Sequence, residues 1–136
     1  MAQITLTIPG KPYAQQRPRF YRAGRFVKTY DTLYKEKRQI VALISSQVGN
    51  ELIQEPLRVE LNFFLEIPKS YSRKKRERCL FGLIAHTKKP DLDNMAKFYL
   101  DCMNKIVYRD DSQIYELIVS KHYSDSPKTL IAVNYD

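Results

Sequence analysis

Four segments of the 136-residue chain carry the apolar patterning of β-strands, and helical segments lie between them. In residues 2–8, Ile4, Leu6 and Ile8 alternate with threonines up to a Pro-Gly turn. The other strand-like segments are residues 57–67, 113–123 and 128–135. Helical patterns occupy residues 31–48, a short basic stretch at 72–82, and residues 92–105, which follow Pro90. Asp31 or Thr32 would cap the first of these helices.

The order β-α-β-α-β-β, with the last two strands joined as an antiparallel hairpin, predicts an α+β fold. We expect a single domain over residues 1–136, because this length is close to that of one ordinary domain. Its sheet would be mixed and largely antiparallel, and two main helices would cover it.

Positive charge is concentrated in two blocks of the sequence. The chain has 23 Lys and Arg against 15 Asp and Glu, a net charge of +8. Residues 11–28 contain no acid, and residues 69–78 contain only Glu77. This excess favours a polyanionic partner, most often nucleic acid. The cations that we predict to contact phosphates are Lys11, Arg17, Arg19, Arg22, Arg25, Lys69, Arg73, Lys74, Lys75, Arg76 and Lys89.

Residues 11–30 contain Pro12, Pro18 and Gly24, which predict a long basic loop. Aromatic residues are interleaved with its cations. Such rings suit stacking on nucleic-acid bases, and they suit equally well the interior of an irregular loop.

No apolar run approaches the roughly 18 residues that span a bilayer, and the N-terminus lacks a signal-peptide pattern. Cys79 and Cys102 form neither a disulfide framework nor a zinc motif. We therefore expect a cytoplasmic protein with reduced thiols and no membrane partner.

The segment most informative about chemistry runs from residue 89 to residue 116. At about 100° per residue, one polar stripe of its predicted helix holds Asp93, Lys97, Asp101 and Asn104. The apolar residues opposite would pack on the sheet. A solvated stripe with an Asp93–Lys97 ion pair would explain this pattern without any catalytic role.

Further acids flank that stripe. Asp91 precedes the helix, and Asp110 and Asp111 precede the next strand. Carboxylates brought together repel unless a cation neutralises them, and oxygen ligands suit Mg²⁺ or Mn²⁺. A divalent ion beside a basic surface can hydrolyse a phosphodiester. The residues alone leave two functions open, a metal-dependent nuclease and a non-catalytic basic binding module.

The same segment resembles a known family, the RusA-type Holliday junction resolvases. The resemblance is strong over residues 89–117 and rests on Asp91-Leu92-Asp93-Asn94, Lys97, Asp101 and Asp110-Asp111 ahead of Gln113-Ile114. A Pro-Gly-Lys-Pro turn after the first strand and Arg17-Pro18-Arg19 add weaker support.

This resemblance implies a RusA-like endonuclease domain in which Asp91, Asp93 and Asp111 are catalytic, metal-binding carboxylates and Lys97 is the catalytic lysine. Asp110 is an adjacent candidate for a supporting or metal-binding role. The cofactor would be Mg²⁺, with Mn²⁺ as a substitute. The resemblance further implies a homodimer that cuts four-way DNA junctions in recombination and repair, in the cytoplasm of a bacterium and encoded by the host or a prophage. The alternatives are a non-catalytic DNA-binding phage protein and a nuclease for other branched DNA.

Overall fold

A computed structural model describes residues 2–136. Its strands are β1 (Ala2–Pro9), β2 (Arg19–Ala23), β3 (Phe26–Tyr30), β4 (Leu57–Glu66), β5 (Ile114–Ser124) and β6 (Lys128–Tyr135). Its α-helices are α1 (Tyr34–Gln47), α2 (Arg73–Leu80) and α3 (Leu92–Met103), and a 3₁₀ turn at Asp111–Gln113 leads into β5. The predicted α+β class and mixed sheet are confirmed.

The main sheet has the strand order β1-β6-β4-β5. β6 pairs antiparallel with both β1 and β4, whereas β4 and β5 are parallel. A parallel pair needs a long crossover, and the segment that contains α2 and α3 supplies it. Every second residue of β4 is buried, because this strand lies inside the sheet and turns one face to the core.

The predicted hairpin of the last two strands is wrong, because β4 lies between β5 and β6. Residues 125–127 join them past the end of β4, where Glu66 pairs with Ser124 and Phe64 with Lys128. β5 and β6 are therefore two inter-strand spacings apart, about 10 Å, and the three residues of an extended connection can span that distance. The strongly apolar β4 takes the central position, and the more exposed β5 takes the edge.

The predicted loop over residues 11–30 is also only partly correct. Its second half is a β2–β3 hairpin with Gly24 at the turn, at φ 63°. The left-handed backbone there favours glycine. Leu33 is the N-cap of α1 without a side-chain cap, and Asp31 instead accepts a hydrogen bond from the Leu33 backbone N–H at 2.9 Å.

Helices α1 and α3 pack against each other and contribute side chains to the main core. From α1 these are Ile40 and Ile44, and from α3 they are Met95, Ala96, Phe98, Tyr99, Cys102 and Met103. The buried arc of α3 leaves Asp93, Lys97 and Asp101 exposed, as predicted. Asn104 lies beyond the last turn of α3 in an extended conformation. Both cysteines are free and buried.

Ser72 is the N-cap of helix α2, and its Oγ accepts a hydrogen bond from the Lys75 backbone N–H. Its buried Cys79 forms a second small core with Ile67 and Tyr123. Within residues 2–136, none of the helices is long and apolar enough to cross a membrane.

Candidate active site

The exposed face of α3, the 3₁₀ turn before β5, and Leu117 and Val119 of β5 border a cleft of 670 Å³. Its charged lining residues are Asp93, Lys97, Asp101 and Asp111. The first three lie four residues apart along α3 and therefore share one face of the helix. Apolar residues of α3 and β5, among them Leu100 and Leu117, form the rest of the wall. The structure thus brings three of the predicted catalytic residues, Asp93, Lys97 and Asp111, into one cleft.

A capping box fixes the position of Asp111. The Asp110 carboxylate accepts a hydrogen bond from the Ser112 backbone N–H at 3.0 Å, and the Gln113 side chain accepts one from the Asp110 N–H at 2.7 Å. Hydrogen bonds from Ser112 lower the pKa of Asp110. Asp110 therefore caps the start of the turn that presents Asp111, and the pattern Asp-x-x-Gln is the sequence signal for this motif.

Gln113 also ties this turn to the loop before β4. Its Nε2 donates to the carbonyl oxygens of Ile53 and Glu55, at 3.0 and 2.9 Å. The buried Tyr108 hydroxyl donates to the Leu100 carbonyl oxygen at 2.7 Å, and burial raises the Tyr108 pKa so that this proton is retained. The chain between α3 and Asp111 is consequently held at both of its ends.

Asp91 lies at the N-cap of α3 but lines a different cavity, of 520 Å³. Lys11 and Lys89 line the same cavity, so Asp91 has predicted phosphate-binding cations as neighbours. Across residues 2–136, no group of three or more His, Cys, Asp and Glu side chains is close enough to hold a metal ion.

Two lysines that the sequence patterns did not single out support this region. Lys121 of β5 donates to the carbonyl oxygens of Lys88 and Pro90, at 2.8 and 3.1 Å, and so fixes the chain ahead of α3. Lys37 of α1 lies 3.7 Å from Asp101. Both contacts join elements far apart in sequence, so no local pattern could have revealed them.

The first basic block passes directly beside α3. The Tyr13 backbone N–H donates to the Tyr99 hydroxyl at 3.0 Å, and the Gln15 N–H donates to the Asn94 carbonyl oxygen at 2.8 Å. Arg17 then lines a further cleft, of 710 Å³, together with Lys97 and Asp101. The remaining cations of this block, Arg19, Arg22, Arg25 and Lys28, lie on the β2–β3 hairpin.

The second basic block occupies α2 and the turn before it and lines none of these three clefts. Arg73 pairs with Glu77 at 3.6 Å, and the Lys75 ammonium lies 3.9 Å from the centre of the Tyr71 ring. Its cations are exposed or partly exposed, and they form a separate surface.

An α+β fold with a cation-rich segment beside the helix face of Asp93, Lys97 and Asp101 is typical of a small protein that contacts a polyanion. The chain belongs to the RusA endodeoxyribonuclease family, whose model matches residues 9–134. It is also 38% identical over 134 residues to "Uncharacterized protein YqaN" of Bacillus subtilis (strain 168), an alignment that covers 96% of this chain and 94% of that protein. The family resemblance read from residues 89–117 is therefore confirmed.

Proposed function

We propose that the protein is a structure-selective endonuclease that resolves four-way DNA junctions by phosphodiester hydrolysis, in recombination and repair. The observation that carries this proposal is the shared cleft of Asp93, Lys97 and Asp111 in a chain of the RusA family. An acidic pair with one lysine supplies groups for binding a cation and for stabilising negative charge on a phosphate.

The donor set of the cleft fits Mg²⁺, with Mn²⁺ as a substitute. Its candidate ligands are carboxylate oxygens, which hard cations prefer. Mg²⁺ usually keeps several waters and takes only one or two protein carboxylates, together with phosphates of the substrate. Asp93 and Asp111 would meet this need even though residues 2–136 hold no group of three ligands. Asp91, at the N-cap of α3, is the further candidate ligand.

When bound, the cation would polarise the scissile phosphate and activate a water. Lys97 would offer its ammonium group to the charge that develops on the phosphate oxygens. Leu100 and Leu117 line the cleft beside these charges. Lys11, Arg17 and Lys89 would hold the phosphates on either side.

Both basic blocks would contact the DNA backbone, since neutralising phosphates with Lys and Arg releases counterions and strengthens binding. The first block lies at the clefts, and the second, on α2, would engage a more distant arm of the junction.

The protein would act as a homodimer, because symmetric cleavage of a junction needs two active sites related by a two-fold axis. The edge strand β5 exposes Tyr115 and Ile118, neither of which lines the cleft, and these side chains are the candidate contact surface. A bacterial cytoplasm, with a host or prophage gene, is the proposed setting, and the bacterial origin of the relative supports it.

The proposal is tested by incubating the protein with an end-labelled four-way junction and, separately, with linear duplex of the same sequence. We expect paired nicks near the branch point with Mg²⁺, none with EDTA, and little cleavage of the duplex. Binding without cleavage under every divalent ion would identify a non-catalytic DNA-binding protein, and cleavage of flaps in preference to junctions would identify a nuclease for other branched DNA.

A further inference from the structure

The β2–β3 hairpin stands apart from the main sheet as a separate two-stranded sheet. All of its strand residues are exposed except Ala23, which is partly buried. A two-stranded hairpin is marginally stable alone in water, and here no core layer covers either face. The exposed side chains of the hairpin are therefore available to a partner.

Large apolar groups and cations alternate on this ribbon. Phe20 and Phe26 are each 71% exposed. Tyr21 pairs across the strands with Lys28, and Arg22 pairs with Val27, so each face carries both kinds of group. There is no Asp or Glu anywhere in residues 11–30. A surface of this composition suits an anionic partner that also presents flat rings, which describes nucleic acid with accessible bases.

Both ends of the hairpin are attached next to α3. At the first end, Arg17 and Pro18 line a cleft with Lys97 and Asp101 of α3. At the second end, Asp31 lies 4.0 Å from Lys37, whose ammonium also contacts Asp101. DNA with a phosphate in the candidate active site would therefore lie within reach of the hairpin. Strands of five residues extend about 17 Å, more than the width of a major groove.

We infer that the hairpin recognises the branch point of DNA by stacking Phe20 and Phe26, which its register places on opposite faces, on unpaired or unstacked bases on either side of it, while its arginines hold the neighbouring phosphates. This inference rests on the proposed function and adds a source of substrate selectivity to it. A fully paired linear duplex offers no open base faces, so the phenylalanines would favour branched DNA, whereas the arginines would bind both.

The experiment compares junction and duplex affinity in EDTA, where no cleavage occurs, for F20L+F26L and F20W+F26W. Leucine keeps an apolar side chain without a ring, and tryptophan keeps a stacking surface. We expect the leucine pair to lower junction affinity at least about 30-fold, the lower end of the cost of losing two base–aromatic stacks, and to leave duplex affinity unchanged. The tryptophan pair should retain junction preference.

A 2-aminopurine base placed beside the branch point provides a second readout. Its fluorescence should change when the wild-type protein binds, and the leucine pair should lose that change. The matched control is F81L, since Phe81 is 78% exposed at the end of α2, outside the hairpin. This control should behave as wild type in both assays.

Unchanged junction preference in the leucine pair would overturn the inference. A change in the molecular mass of the leucine pair in solution, without a change in selectivity, would also overturn it, because the phenylalanines would then contact another copy of the chain and not DNA. If the wild-type protein cleaves junctions in Mg²⁺ and the leucine pair keeps its selectivity, the proposed function stands and this inference fails. If no divalent ion supports cleavage but the leucine pair loses selectivity, the inference stands and the nuclease proposal fails.

Discussion

The Lys37 ammonium lies 3.7 Å from the Asp101 carboxylate, so a basic side chain of α1 contacts the acidic face of α3. Lys37 is about one-quarter exposed and Asp101 about one-half, with side-chain values of 26% and 45%. Solvent screens such a pair, and its contribution to stability is consequently small. Its effect is on position, because it links the end of the hairpin to the helix that bears Asp93 and Lys97.

Replacing Lys37 with Gln should therefore lower the free energy of unfolding by no more than about 1 kcal/mol, as for other exposed ion pairs. Urea denaturation followed by circular dichroism measures this change. Lys35→Gln, at an exposed position of the same helix, is the control and should have no effect. A loss of several kcal/mol in the Lys37 variant would mean that the pair is far better shielded from water than its exposure indicates.

Removing the Gln113 side chain should affect both stability and cleavage. Gln113→Ala deletes three hydrogen bonds, to Asp110, Ile53 and Glu55. We expect a destabilisation of about 1–3 kcal/mol and a slower cleavage step, because Asp111 loses the turn that presents it. Urea denaturation and single-turnover cleavage measure the two effects. Gln54→Ala, at an exposed side chain in the neighbouring loop, should change neither.

His86 should make stability depend on pH near neutrality. Burial, with a smaller effect of the Lys121 charge, lowers its pKa below the usual 6.5 in the folded protein. The unfolded chain then binds the proton more readily, so stability is complete above about pH 6.5 and declines as pH falls below it. Urea midpoints between pH 8 and pH 5.5 should fall less in His86→Gln than in wild type. Equal slopes would contradict this assignment.

The positive charge on α2 should strengthen binding to DNA whether the DNA is branched or linear. Lys74→Glu should weaken binding to junction and duplex alike and reduce the dependence of affinity on salt concentration. Lys35→Glu makes the same change in net charge on α1 and should have a smaller effect. Fluorescence anisotropy at several salt concentrations makes the comparison. If the Lys74 variant binds DNA at low salt as tightly as wild type, α2 is not part of the DNA-binding surface.

Local patterns were sufficient for the elements that depend on one stretch of sequence. The alternation of Ile4, Leu6 and Ile8 predicted β1, and helical spacing predicted that Asp93 and Lys97 share the exposed face of α3. Pairing of β5 with β4 was missed, because the short 125–127 connection favours a hairpin until the burial of β4 is taken into account. The β2–β3 hairpin was missed because exposed strands lack the apolar alternation that a core imposes.

The site was predictable to a similar extent. Spacing placed Asp93 and Lys97 together. The residues alone also named Asp111 as a flanking acid, and the family resemblance gave it a catalytic role; Asp111 shares their cleft. Spacing could not show that Asp91 lies in the adjoining cavity with Lys11 and Lys89, since that depends on how residues 11–18 cross the start of α3. The metal-binding roles of Asp91, Asp93 and Asp111 remain predictions.

The most direct test of the proposed active site is single-turnover cleavage of a labelled four-way junction by Asp93→Asn and Asp111→Asn in Mg²⁺, with junction binding measured in EDTA. Asp125→Asn, at an exposed acid in the β5–β6 turn, is the matched control. We predict that each cleft variant loses at least about 100-fold in cleavage rate, as expected for removal of one electrostatic group from an active site, and binds the junction as tightly as the control. Wild-type cleavage rates in both variants would contradict the assignment of this cleft as the catalytic centre.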